Sequence, residues 1–460
     1  MAKKRQSGIL KNLLKPEIEE LIQLKDWQSL KTVLESWYPQ DIADILEELP
    51  ESDSALLFLL LSPQLQIEVF EGLESDAQLS LIKKFSDEKV KSLITDIAPD
   101  ARVKLFEKLP PQIIQKLSSL LSPQDFKETL TILGFPENSV GRLMTPEFIA
   151  VKPEWTIKKA LDHIRTVGLE AETINMIYVI DDKGQLLDDI PLRRLILADP
   201  KQTIQEIMDK NFIAVNVLED QEEAAKLMKR YDLIAMPVVD ENGILLGIVT
   251  IDDIVDVLEE EQTEDITKIS AIGPKIDTDI ITKLKEIPIK KFYRSRISWL
   301  ILLLIMDLVT GGIIQRFEET IARYVVLVTF LPVLVDTAGN AGSQSATLVI
   351  RALALGTVQM RDWVYLLGKE LIIGALLGLT MGAGISIMGF IRGRQVQIAL
   401  VVIIAMILNV IIGCAVGVLL PFIFKKLKKD PATASAPLVT TLADILGTAL
   451  YLSMAYIFLK

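Results

Sequence analysis

The chain has 460 residues, 50% of them hydrophobic, and a formal net charge of −12. It is too long and too apolar for one compact soluble domain, and its acidity argues against nucleic acid as a partner. The charge is split, because residues 291–460 carry 15 Lys and Arg against 8 Asp and Glu, which leaves −19 for the remainder. An acidic soluble half therefore precedes a mildly basic, strongly apolar half.

The N-terminus, Met1 to Lys15, is basic but lacks the apolar core and small-residue cleavage site of a signal peptide, so the soluble half is expected to stay on the side where it is made. From about Pro16 to Gly134, Leu and Ile recur at three- and four-residue spacing. Pro39, Pro50, Pro63, Pro99, Pro110-Pro111 and Pro123 break the pattern into short pieces. Residues 1–135 are accordingly expected to form an all-α domain, a stacked helical superhelix with a simple bundle as the alternative.

An internal repeat follows within 136–262. Phe148-Ile149-Ala150-Val151 returns as Phe212-Ile213-Ala214-Val215, and Met144 returns as Met208. Each copy continues with an amphipathic helix (Ile157–Thr166, Glu222–Tyr231), a strand ending in Asp (Met176–Asp181, Met236–Asp240) and a Gly turn. These β-α-β-β-α units resemble a pair of CBS domains, named for cystathionine β-synthase, which imply an adenosine-nucleotide cleft. Thr250 and Asp253 would hold a ribose there. In the first copy Arg194 stands where a carboxylate is expected, which counts against ATP as a ligand.

From Asp252 to Asp265 no basic residue occurs, and Asp253, Asp256, Glu260 and Glu264 fall at i, i+3, i+7 and i+11, nearly one helix face. Like charges at this spacing weaken a helix by a few tenths of a kcal/mol each. Two readings follow, a solvated acidic face or a divalent-cation sensor whose bound ions hold this helix against a neighbour; a connecting helix, 263–290, is expected to lead from it into the apolar half.

Five segments are long and apolar enough to cross a bilayer: about Ile297–Gln315, Ala322–Leu353, Trp363–Ile391, Gln395–Phe424 and Pro431–Leu459. Lys290, Lys291, Arg294 and Arg296 precede the first, Arg351 and Arg361 flank the loop after the second, and four lysines between Lys425 and Lys429 follow the fourth. That bias predicts a plasma-membrane protein with its N-terminus inside and its C-terminus outside. Trp299 and Trp363 then fall at the inner interface. The one cysteine, Cys414, lies in an apolar run and excludes an internal disulfide.

In the last span Asp444 is a carboxylate that costs roughly 2.5–3.5 kcal/mol at mid-bilayer, so it should face a bundle interior or a watery path. Thr440 lies one turn before it on the same face, with Thr441 adjacent. In the second span Pro332, Gly339 and Gly342 are expected to weaken the helix and free carbonyls beside Asp336, Asn340 and Gln344, with close helix packing as the alternative. Carboxylate, hydroxyl, amide and carbonyl oxygens suit the water shell that Mg²⁺ sheds reluctantly. Two copies about a symmetry axis could set both Asp444 side chains against one ion.

The order of these parts, with Gly339-Asn340-Ala341-Gly342-Ser343-Gln344 and Leu438-Val439-Thr440-Thr441-Leu442-Ala443-Asp444, resembles the MgtE family of bacterial magnesium channels over essentially the full length. The resemblance implies a homodimer that conducts Mg²⁺ inward and is closed when cytosolic Mg²⁺ binds the soluble domains. It assigns Asp444 as pore carboxylate, and Asp220, Glu222, Asp232, Asp253, Asp256, Glu261, Glu264 and Asp265 as sensor acids. It also exposes departures. Ala101 and Lys104 follow Asp100 where further acids are common, and Asn138-Ser139-Val140-Gly141-Arg142 precedes Leu143. Weaker Mg²⁺ cross-linking of the N-domain to the CBS pair is therefore expected. The rivals are a broader permease for Co²⁺, Mn²⁺ or Ca²⁺, an ion-coupled exporter, and a membrane-anchored nucleotide sensor without conduction. With no phosphate loop, nucleophile–base set or Cys/His metal cluster in the sequence, an enzyme is not expected.

Overall fold

A computed structural model describes residues 15–271, 288–393 and 396–459. The chain divides into two compact units, Met1–Leu258 and Glu259–Lys460. The segment 272–287, which holds most of the predicted 263–290 connecting helix, lies outside the described residues.

The first unit opens with short helices of mostly ten residues. Proline stands in the first turn of Pro39–Glu48, Pro63–Gly72, Pro99–Lys108, Pro111–Leu120 and Pro123–Leu133. There its missing N–H leaves no intrahelical bond unmade. Each helix packs on the one two places ahead: Pro39–Glu48 on Pro63–Gly72, Pro63–Gly72 on Asp87–Asp96, and Asp87–Asp96 on Pro111–Leu120. That alternation is the superhelix expected, since helices this short bury their apolar faces only by stacking. Its core includes Phe58 and Phe85, stacked at 5.5 Å.

The repeat forms two sheets of identical topology. In one, β1 (Ala150–Val151) runs parallel to β2 (Met176–Ile180), and β2 antiparallel to β3 (Leu186–Pro191). In the other, β4 (Val215–Asn216), β5 (Ala235–Val239) and β6 (Leu245–Thr250) repeat that order. The two hairpin turns join the sheets, the Leu186 amide donating to the Gly243 carbonyl at 2.9 Å and the Leu245 amide to the Gly184 carbonyl at 3.0 Å. Both glycines have positive φ, +83° and +77°, which ordinary side chains resist. The symmetric exchange is what a duplicated unit makes when it pairs with its own copy.

The second unit holds five apolar helices: span one (Ile289–Arg316), span two (Leu331–Ala354), span three (Trp363–Gly393), span four (Val396–Lys426) and span five (Ala436–Phe458). The predicted span Ala322–Leu353 corresponds to an apolar stretch Val325–Ala354, but it is not one helix. Glu318–Arg323 is a separate helix, Val325–Thr329 a 3-10 turn, and Pro332 sits in the first turn of the span itself. Span five likewise begins after a 3-10 turn at Pro431–Thr433, with Pro437 in its first turn.

The expected break at Gly339–Gln344 is absent, and span two is helical throughout that motif. In an apolar surround a freed carbonyl has no water to accept from, so the intrahelical bonds are kept. The glycines serve contact instead. A Cβ on Gly342 would meet the Gly413 carbonyl, one on Gly413 the Ala338 carbonyl, and one on Gly417 the Gly342 carbonyl. Span four thus lies backbone to backbone against span two and also packs on spans three and five.

Candidate functional site

The two membrane motifs meet. The place of a Cβ on Gly339 is filled by Thr440, and the Ser343 hydroxyl lies 3.1 Å from that of Thr440 and donates to the Ala436 carbonyl at 3.2 Å. One turn beyond Thr440 comes Asp444, whose Oδ1 is buried and has no hydrogen-bond partner. Asp307 of span one and Asp336 of span two are close enough for their charges to act on it. Thr441 is buried.

Asp336, Asn340 and Gln344 lie at i, i+4 and i+8 on one exposed face of span two, where the Asn340 amide donates to Asp336 at 3.0 Å. This chain alone leaves that polar stripe uncovered. No group of three or more Asp, Glu, His or Cys close enough to hold a bare metal occurs among the described residues. A set of widely spaced oxygens fits an ion that keeps its water shell.

Two further polar groups lie inside the bundle. Asn409 is fully buried across Gly447, with neither amide atom hydrogen-bonded. Glu370 turns inward and accepts from the Ser345 hydroxyl at 2.8 Å.

The candidate sensor acids are spread over both units. Asp220 caps a helix by accepting the Glu222 amide at 2.9 Å, Glu222 pairs with Lys226 at 2.9 Å, and Asp232 ends that helix with φ 54°. The acidic run is one helix, Ile251–Ile269, as its spacing predicts. Along it Asp256 is exposed, and Glu261 and Asp265 are half-buried. Asp253 receives the Lys104 ammonium at 2.5 Å and the Thr250 hydroxyl at 3.3 Å. Glu264 pairs with Lys268 at 2.6 Å, and the same ammonium reaches Asp430 at 2.6 Å. Arg194, in the other half of the pair, is bound to Asp209 at 2.6 Å. Sequence reasoning marked Lys104 only as a departure and missed Lys268 and Asp430, because each pairs across well over a hundred residues.

Around Asp100 carboxylates are crowded and partly enclosed. Burial, then the charge of Asp253, pushes Asp100 up to about 6. Burial, then Glu128 and Asp100, pushes Glu147 up to about 7, and burial, then Asp100 and Asp252, does the same for Glu172. These folded-state values lie above the unfolded carboxylate range of about 4, so the destabilisation is absent below that range, grows as pH rises, and is complete above about 7. The soluble half, residues 1–271, should therefore melt higher at pH 6 than at pH 8 in divalent-free buffer. Equal or reversed melting temperatures would mean these acids are well solvated.

Comparison with known proteins matches residues 331–454 to the MgtE family of divalent cation transporters, 37–138 to the MgtE intracellular N domain, and 140–201 and 204–260 to CBS domains. A magnesium transporter MgtE of Thermus thermophilus is 37% identical over 448 residues, 96% of this chain and 98% of that one. One from Bacillus subtilis is 34% identical over 441 residues, covering 95% and 96%. Among solved structures, the cytosolic domain of the Mg²⁺ channel MgtE in complex with ATP covers 53% of this chain and 100% of its own, with 35% identity and a TM-score of 0.51. The soluble part of a magnesium transporter covers 55% and 99%, with 28% identity and the same TM-score.

Proposed function

The chain belongs to the MgtE family, and from that premise we propose that it is a Mg²⁺ channel of the plasma membrane, closed by Mg²⁺ on its cytosolic side. The meeting of Gly339 and Ser343 with Thr440, one turn from Asp444, is the observation that carries the reading. It brings a carboxylate, hydroxyls and an amide-bearing helix face together where spans two and five meet. Such oxygens hold the water shell of a hard cation, and no Cys or His joins them to favour a softer metal. The two relatives matched over nearly the full chain are magnesium transporters, which favours transport over catalysis.

The uncovered stripe of Asp336, Asn340 and Gln344 supports a homodimer, because lipid is a poor cover for a carboxylate and two amides. Two copies meeting there would enclose a polar path between them, with two Asp444 side chains balancing much of a double charge. The N-terminal domains then lie in the cytosol and, with five spans, the C-terminus lies outside. Inward flux follows the membrane potential. Asp220, Glu222, Asp232, Asp253, Asp256, Glu261, Glu264 and Asp265 are the acids through which cytosolic Mg²⁺ would act, by relieving repulsion along and beside the acidic helix. ATP has less in its favour here, since Arg194 is already paired with Asp209 and Asp253 with Lys104.

The test is dye-reported Mg²⁺ entry into proteoliposomes under an inside-negative potential, with Co²⁺, Mn²⁺ and Ca²⁺ offered in parallel. Entry of Mg²⁺ that stops as internal Mg²⁺ rises supports the reading. Equal passage of all four ions favours the broader permease, and no passage of any ion sinks both.

A narrower prediction concerns Lys104. Its ammonium sits on Asp253 near Asp100, where a bound cation would otherwise offset the two acids. Lys104→Ala should speed proteolysis between the N-domain and the CBS pair several-fold without Mg²⁺, and millimolar Mg²⁺ should restore protection. In the unaltered chain Mg²⁺ should change that rate little. Strong Mg²⁺ protection of the unaltered chain, lost on Asp100→Ala, would refute this.

A further inference from the structure

The acidic helix ends in a contact that its composition does not suggest. From Asp252 to Thr267 it carries no cation, and Lys268 arrives only as its next-to-last residue. Its ammonium is held by two carboxylates, Glu264 of its own helix and Asp430 at the entry to span five, each at 2.6 Å. Asp430 is itself oriented, because its other oxygen accepts the Ala432 amide at 2.8 Å and caps the 3-10 turn Pro431–Thr433. Next to the pair, Ile269 packs with Ala346 and Ile350 of span two and with Ala432, Ala434 and Val439 before and within span five. Thr267, the residue before Lys268, is buried.

The helix end is therefore fixed to the two spans that carry Asp336, Asn340 and Asp444, by an apolar contact and a two-carboxylate ion pair. Only about a fifth of the Lys268 side chain is exposed, at 22%. Partial burial disfavours its charge, but the hydrogen bonds and charges of Asp430 and Glu264 outweigh that and raise it above the ordinary lysine range. The group stays cationic throughout the physiological pH range.

We propose that Lys268 is a tethered cation that latches the acidic helix onto the entry of span five, holding the cytosolic mouth partly shut before any Mg²⁺ binds there. The inference rests on the channel reading above and adds a regulator to it. A divalent ion between Glu264 and Asp430 would supply the same attraction, but it would leave when Mg²⁺ is scarce. An ammonium on the helix itself does not leave, and while seated there it competes with an ion for the same two carboxylates. The same substitution of lysine for ion recurs near the other end of the helix, where Lys104 sits on Asp253. A chain built this way should close with fewer bound Mg²⁺ ions, and therefore along a shallower curve, than its count of acids suggests.

The experiment uses the full chain in proteoliposomes with internal Mg²⁺ varied. Lys268→Met should raise entry several-fold at low internal Mg²⁺, and the inhibition by internal Mg²⁺ should steepen, as an ion takes the vacated place between the two carboxylates. Asp430→Asn should raise entry at low internal Mg²⁺ without that steepening, and combining the two should add nothing to the larger single effect. Lys268→Arg should behave as the unaltered chain. Wild-type entry and inhibition in Lys268→Met, or additive effects of the two substitutions, would overturn the latch. Amide hydrogen exchange of residues 259–271 in the detergent-solubilised chain without Mg²⁺ gives a reading independent of flux. Lys268→Met should speed it and Lys268→Arg should not, and unchanged exchange in Lys268→Met counts against the latch. If the unaltered chain passes no Mg²⁺, the channel reading fails, while the exchange result still decides whether Lys268 fastens the helix.

Discussion

Asp444→Asn should lower the initial rate of Mg²⁺ entry into proteoliposomes by roughly 100-fold, a loss of about 2.7 kcal/mol from the permeation barrier. Asn keeps the size and shape of the side chain while it removes the charge and turns one acceptor oxygen into a donor amide. The effect is large because the surround is apolar, where a charge acts far more strongly than in water. In a symmetric pair both copies would lose it at once. Asp444→Glu should retain part of the rate, since its carboxylate extends one methylene further along the same path. Packing gives no reason for the loss, because one Asp444 oxygen is enclosed without a partner and so contributes no hydrogen bond that Asn would break. A rate within a factor of a few of the unaltered chain, with normal expression and elution, would remove the pore role of this residue and with it the main physical support for transport.

The second large effect concerns folding of the membrane half. Gly413→Val or Gly417→Leu should abolish recovery of monodisperse protein in mild detergent. At both positions a Cβ would run into the backbone of span two, at the Ala338 carbonyl for Gly413 and the Gly342 carbonyl for Gly417. Overpacking within a core costs roughly 1–3 kcal/mol when side chains yield, and more here, because backbone must move. Gly311→Ala in span one is the matched control, since nothing lies within 4 Å of its Cβ position and the span is little covered by the rest of the chain. It should be neutral or slightly favourable. Normal recovery of Gly413→Val would mean that spans two and four do not meet in the way described.

These glycines also show where sequence reasoning reached its limit. Gly339 and Gly342, between Asp336 and Gln344, were expected to loosen the helix, with packing as the alternative. Packing prevailed, because Gly413 and Gly417 on another span complete the contact. Spacing along one helix carries no signal of a partner 70 residues away. The polar stripe Asp336–Asn340–Gln344 was legible, since a four-residue interval sets one face of any helix. Its exposure was not. Thr440 and Asp444 were likewise placed on one face by spacing, but only the fold set Thr440 against Gly339 and Ser343.

The primary structure alone settled the division into an acidic soluble part and an apolar part, the short proline-started helices, the duplicated sheet unit and the five spans. Each of these depends on hydrophobic period, proline or charge within a window of some twenty residues, and such signals survive without knowledge of neighbours. Tertiary contacts decided which acid meets which cation. Lys104 finds Asp253 across 149 positions and Lys268 finds Asp430 across 162, so a run that looks uniformly anionic is neutralised near both ends by lysines. Electrostatics acts through distance in space, and distance along the chain says little about it.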